Sequence, residues 1–130
     1  CPSFTLLARD GEDAERWNLL HPTDKPRKSY VEQCLENTEG PVIASTDYVR
    51  AFADQIRPYV PGRYQVLGTD GFGRSDTREK LRHFFEVDRY WVTTASLAAL
   101  AEEEKLDPAK VAEAIKKYGI DVDKLNPLTV

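Results

Sequence analysis

Residues 41–68 read PVIASTDYVRAFADQIRPYVPGRYQVLG, and this stretch decides the fold. It opens with a short apolar run, β-branched at Val42-Ile43 and entered through Gly40-Pro41. Such a run predicts a buried strand over 41–45. Thr46 is placed to cap a helix over DYVRAFADQIR, in which Tyr48, Phe52 and Ile56 recur every four residues until Pro58 and Pro61-Gly62 stop it. RYQVLG, residues 63–68, predicts a second strand. Strand, helix, strand in this span predicts a parallel pair joined by a right-handed crossover. Two strands are too few for a parallel sheet whose faces are both covered. The expectation is an α/β sheet whose other strands come from an absent part of the polypeptide or from a partner.

Upstream, SFTLLAR and EDAERWNLL predict a helix in two pieces over 3–20, with Ser3 as N-cap and Gly11 as a break or kink. HPTDKPRK, residues 21–28, is a surface loop, and SYVEQCLEN is a short helix capped by Ser29. Downstream, the turn TDGFGRS leads into a helix over DTREKLRHFF. Asp76 and Glu79 stand there at capping-box spacing, and Leu81, Phe84 and Phe85 are expected to form its buried face. DRYWVTTASLAALAEEE is apolar nearly all round from Tyr90 to Ala101, which predicts a buried helix; its Val92-Thr93-Thr94 run also allows a strand start. Asp107-Pro108 opens the last helix and Gly119 closes it. The tail DVDKLNPLTV carries no regular pattern.

The 130 residues are 41% hydrophobic and 31% charged, which excludes wholesale disorder. No apolar run approaches the ~18 residues of a membrane span. The start CPSFTLLARDGEDAERW lacks the pattern of a signal peptide. A net charge of -4 without a basic stripe argues against nucleic acid. Cys1 and Cys34 are too few for a disulfide framework and have no metal-ligand spacing, so they read as reduced thiols. With no Met in the chain and Cys1 at its start, the expectation is a piece of something longer.

The most distinctive chemistry is LGTDGFGRSD, residues 67–76, where a strand's C-terminal end meets a helix, the usual ligand address in α/β folds. Gly71 and Gly73 begin a GxGxxG pattern, but Asp76 replaces the third glycine and would repel a phosphate. Three readings stay open: a phosphate site, a tight turn needing positive φ at one or both glycines, and a domain contact in which Phe72 is buried by another surface. Arg74, Arg78, Lys80 and Arg82 alternate with Asp70, Asp76, Glu79 and Glu86, which reads first as a solvated face with local ion pairs. His21 and His83 lack metal-ligand companions, and Trp17 and Trp91 read as packing anchors. No complete catalytic constellation is visible.

The strings GPVIASTDYVRAFADQIRPYVPGRYQVLGTDGFGRSDTREKLRHFFEVDRYWV and CPSFTLLARDGEDAERWNLLHPTDKPRKSYVEQCL resemble the C-terminal region of the bacterial, homodimeric pyruvate dehydrogenase family. The likeness covers essentially all of 1–130, and VLGTDGFGRSDTREKLRHFFEVD is its most specific part. It implies a transketolase-type C-terminal α/β domain, a three-layer, mostly parallel sheet that lacks its N-terminal side here. It also implies that the cofactor-binding N-terminal and middle domains belong to the rest of a longer chain. The family's members are oxidoreductases that use thiamine diphosphate and Mg²⁺ to decarboxylate pyruvate. They pass the acetyl group to the lipoyl group of dihydrolipoyl acetyltransferase, as homodimers in a cytoplasmic multienzyme complex of bacteria.

None of the family's cofactor, metal or catalytic residues maps onto 1–130, so no catalytic, cofactor-binding or metal residue is expected here, and this piece alone is expected to be inactive. The family's arrangement instead implies that Asp70, Phe72, Gly73, Arg74 and Ser75 contact a neighbouring domain or subunit, with His21 and Trp17 as further candidates. A reading of a different class is a stand-alone interaction or regulatory module with the same fold and no activity. An independent small enzyme that uses the glycine turn is a third.

Overall fold

A computed structural model describes all 130 residues. The chain order is α1 (Phe4–Leu20), α2 (Tyr30–Leu35), β1 (Val42–Ser45), α3 (Arg50–Asp54), a single 3-10 turn (Arg57–Tyr59), β2 (Tyr64–Leu67), α4 (Arg78–Phe84), α5 (Arg89–Glu102) and α6 (Pro108–Tyr118). β1 and β2 form a two-stranded parallel sheet with Val42 beside Tyr64 and Ser45 beside Leu67. The architecture is thus mixed α/β around a small, open parallel sheet. No helix is long and apolar enough to cross a membrane.

The core gathers around β2 and the segment before it. Val31 of α2, Ala53 of α3, Ile56, Tyr59, Val60, Tyr64 and Val66 are all buried together, with Phe4, Leu7 and Leu35 packed against them. Two polar devices fix its rim. Ser29 is almost fully buried and completes a capping box with Glu32, each taking up the other's free helix-end N–H. The Tyr64 hydroxyl donates to the Ala53 carbonyl at 2.8 Å, and burial pushes that phenol up to about 12. The Val42 N–H donates to Arg63 O and the Thr46 N–H to Leu67 O. The alternation of a parallel ladder therefore turns the backbone groups of Ile43 and Ser45 toward the other, unpaired edge of β1.

Several local expectations are corrected. Gly11 neither breaks nor kinks α1, which runs unbroken through it. A Cβ at Gly11 would stand 2.3 Å from the Tyr59 ring, so this glycine lets the helix lie directly on that ring. The helix expected from Asp47 shrinks to Arg50–Asp54 because residues 46–48 are held by the exit of β2. Thr46 Oγ1 accepts from Tyr48 N, Thr69 Oγ1 donates to Asp47 O, and Thr69 N donates to Tyr48 O. Tyr48 and Phe52 are consequently exposed, and only Ile56 of that stripe is buried. Thr77, not Asp76, caps α4 by accepting from Lys80 N, while Asp76 accepts the Thr77 N–H. Finally, Asp88 caps both Tyr90 and Trp91 N–H, which commits Val92-Thr93-Thr94 to helix; within α5 only Thr94 and Ala99 are fully buried.

Two burial expectations are corrected as well: in β1, Val42 to Ala44 are only partly buried and Ser45 is exposed, and in α4 and its cap Leu81, Phe84 and Phe85 are only partly buried. Other expectations at the helix ends match. Ser3 accepts from Leu6 N at the start of α1, and Asp107 caps α6 with Pro108 at its first position. Gly119 closes α6 in the left-handed region at φ 64°.

Candidate interdomain contact at the glycine turn

β2 leaves the sheet through Gly68, where a Cβ would strike Arg50 at 2.6 Å. The chain can therefore pass against the start of α3 only without a side chain. Asp70 then faces back toward α3, its Oδ2 standing 3.4 Å from both the Arg50 amide and the Arg50 Nε. Gly71 has φ +96°, and a Cβ there would meet the Pro127 carbonyl at 2.6 Å. This glycine is required twice, by its backbone angle and by the C-terminal tail that crosses it. Gly73 has neither constraint: nothing lies within 4 Å of its would-be Cβ. Of the two glycines, only Gly71 needs positive φ.

Every residue from Gly71 to Lys80 is exposed, and Phe72 is 75% exposed. The ring is the largest apolar group on this face, and neighbouring side chains leave it open. Arg74 lays its guanidinium 4.2 Å over the Phe84 ring, which also receives Lys124 from the tail at 5.0 Å. Ser75 is exposed beside it. A shallow groove of about 510 Å³ follows, lined among others by Phe72, Arg74, Arg78, Arg82 and Phe85. Arg82 makes two hydrogen bonds to Asp47, at 3.2 and 2.7 Å. Those bonds hold the Asp47 carboxyl below the usual carboxylate range.

The groove's charges are mixed and offer little to a free phosphate or a metal ion. Its arginines are partly committed, Arg82 to Asp47 and Arg74 to Phe84. Asp76 stands at the start of α4, where a phosphate would need positive charge. The chain has no group of three His, Cys, Asp or Glu side chains placed to hold a metal ion. His83 Nδ1 donates to Asp88 Oδ2 at 2.9 Å and sits beside Trp91, a structural arrangement. Mixed charge around an exposed aromatic suits a protein surface with its own complementary pairs.

The structure brings Asp70, Phe72, Gly73, Arg74 and Ser75 together on one continuous turn. Trp17 and His21 form a separate cluster at the end of α1. Their rings stack at 4.2 Å, Arg27 lies 4.0 Å over the indole, and the His21 ring bonds the Trp17 carbonyl at 2.8 Å. They share no hydrogen bond or ring contact with the turn. Two pairings were invisible in the sequence. Asp47 reaches Arg82 across 35 positions, and Pro127 reaches Gly71 across the whole second half of the chain. Neither pairing has a local signature.

Comparison with known proteins places this geometry. Residues 1–88 match the transketolase-like TK C-terminal domain. The whole chain is 72% identical over 130 residues to the pyruvate dehydrogenase E1 component of Cupriavidus necator. It is 63% identical over 128 residues, or 98% of the chain, to that of Pseudomonas aeruginosa. Against that of Escherichia coli it is 56% identical over 126 residues, or 96% of the chain. It spans only 14% of the length of each of these relatives. With the family's model matched over most of its length, and with an open parallel sheet and a glycine turn at the end of β2, the chain belongs to the transketolase-like C-terminal domain family.

Proposed function

We propose that residues 1–130 form most of the C-terminal domain of a bacterial pyruvate dehydrogenase E1 component. The longer polypeptide, as a cytoplasmic homodimer, decarboxylates pyruvate with thiamine diphosphate and Mg²⁺. It then reductively acetylates the lipoyl group of dihydrolipoyl acetyltransferase. The observation that carries this reading is the 72% identity held across all 130 residues, without a gap in coverage. On this reading the cofactor is held by the parts of the longer polypeptide outside these residues, and the hard chemistry is the cofactor's own.

The part played by these residues is packing between domains and subunits. Phe72 is the anchor, inserted into the neighbouring surface, and Arg74, Asp70 and Ser75 supply the polar rim around it. Trp17 and His21 form a second, smaller contact. The test compares the full-length polypeptide with the 130-residue chain in a pyruvate decarboxylation assay containing thiamine diphosphate and Mg²⁺. Turnover is expected from the full-length polypeptide alone. Cofactor-dependent turnover by the 130-residue chain, or none by the full-length polypeptide, overturns the reading.

A further inference from the structure

From Gly71 to Asp76 no backbone N–H or carbonyl joins a backbone hydrogen bond, and every residue is exposed. A turn with so few bonds of its own takes its shape from what packs against it. Here that is the tail after α6, residues 121–130, which has no regular secondary structure. Pro127 is buried, and its carbonyl is the group that a Cβ on Gly71 would meet at 2.6 Å. The Leu128 Cα follows at 3.3 Å. Asn126 bends the backbone around Pro127. Its side chain accepts from the Leu128 N–H at 2.9 Å, and its carbonyl accepts from the Thr129 N–H at 3.0 Å.

Lys124 fastens the same tail three residues earlier. Its ammonium donates to Glu86 Oε1 at 3.0 Å and lies 5.0 Å from the Phe84 ring centre and 5.9 Å from that of Trp91. The side chain is only 17% exposed, although a lysine ordinarily keeps its charged head in water. Glu86 meets it from a disfavoured position. It follows α4 at φ 64°, in the left-handed region that glycine normally fills, with its N–H donating to His83 O and the Val87 N–H to Arg82 O. A glycine there would leave Lys124 without its carboxylate. The Phe84 ring also carries the Arg74 guanidinium at 4.2 Å. Tail and turn therefore meet twice, at Pro127 on Gly71 and across Phe84.

We propose that the tail is a clasp that sets the docking shape of the turn, with Lys124 as the positioning residue. With Lys124 seated, Pro127 holds Gly71 in its left-handed conformation, Arg74 stays on Phe84, and Phe72 is presented outward in one orientation. With Lys124 released, Pro127 lifts from Gly71, and the turn has no backbone bonds to keep that shape. The inference rests on the reading of this turn as a docking face, and its test keeps the two apart.

Two readouts on the full-length polypeptide make the test. The first is the rate of tryptic cleavage after Arg74, followed by mass in a Phe72→Ala background so that docking does not shield the turn. Adding Lys124→Met, which keeps the length of the side chain and removes its charge, speeds this cleavage severalfold. Cleavage after Arg63, at the entry to β2, stays slow. The second is the dimer dissociation constant from analytical ultracentrifugation. Lys124→Met raises it about tenfold when Phe72 is present, and clearly less beside Phe72→Ala, because the clasp acts through the turn. A lysine that only stabilises the fold adds the same increment in both backgrounds. Lys124→Arg keeps a charge for Glu86 and the rings, so it stays closer to the parent than Lys124→Met in both readouts. Unchanged cleavage after Arg74, cleavage after Arg63 that rises with it, or equal increments in the two backgrounds each overturns the proposal. If Phe72→Ala alone leaves the dimer intact, the docking reading fails and the proposal falls with it, whatever the protease shows.

Discussion

Around β2, Ala53, Ile56, Tyr59, Val60, Tyr64 and Val66 close on one another, whereas from Gly71 to Lys80 every residue is exposed. Both regions carry aromatics and arginines, so composition does not separate them. The difference lies in what each side chain has for a partner. Tyr64 has the Ala53 carbonyl and a close-packed surround; Phe72 has solvent. A residue of the first kind reports on folding, and a residue of the second kind reports on what the domain touches. One chain thus separates two free energies that are usually entangled.

Tyr64 gives the sharpest way to break this contrast. Tyr64→Phe leaves the buried Ala53 carbonyl without its donor, at a cost of about 1–3 kcal/mol at neutral pH, measurable by urea denaturation. Its raised pKa adds a pH signature. Below the ordinary tyrosine value of 10 the phenol is neutral in both states and its contribution is fully present. Between pH 10 and about 12 the unfolded phenol ionises while the folded one does not, so stability falls as pH rises. That loss amounts to about 2 kcal/mol, and the Phe variant lacks it. Equal alkaline slopes for the two proteins would remove Tyr64 from the core's account.

Gly11→Ala is the next largest effect. Alanine improves helix propensity by about 1 kcal/mol, but its Cβ falls on the buried Tyr59 ring, and overpacking costs about 1–3 kcal/mol. Net destabilisation is expected in a thermal melt, and a stabilised variant would mean that the ring yields freely. Phe72→Ala has the smallest effect on folding, within about 0.5 kcal/mol. In the full-length polypeptide it weakens dimer formation, read by analytical ultracentrifugation. A large folding defect with intact dimers would invert the comparison.

The same contrast explains what was legible in the sequence. Both strands and half of the helix N-caps were readable because each depends on neighbours a few residues away: the Val42-Ile43 run, Ser3, Ser29, and Asp107-Pro108. Gly11 misled because its reason is a ring 48 positions later. The helix expected from Asp47 misled because Thr69, across the crossover, claims the Asp47 and Tyr48 carbonyls. The turn at 68–76 was legible as a turn from its glycines. Its arrangement depends on Arg50, Asp47 and Pro127, which no local pattern announces. That Arg50 Nε, Trp91 Nε1 and Thr94 Oγ1 are buried without a hydrogen-bond partner had no sequence signal at all, since an absent partner is a property of three-dimensional packing.

The Pro127 carbonyl over Gly71 also sets a timetable. During synthesis the chain emerges from its N-terminal end, and packing begins as soon as enough of it is free. The core around β2 needs residues no later than Val66. The turn that carries Phe72, by contrast, meets its covering strap only after Pro127 has left the ribosome. The turn is thus the last feature to take its final shape, on a core already set. On the proposed reading, a nascent subunit completes its docking turn only when nearly all of these 130 residues have been made.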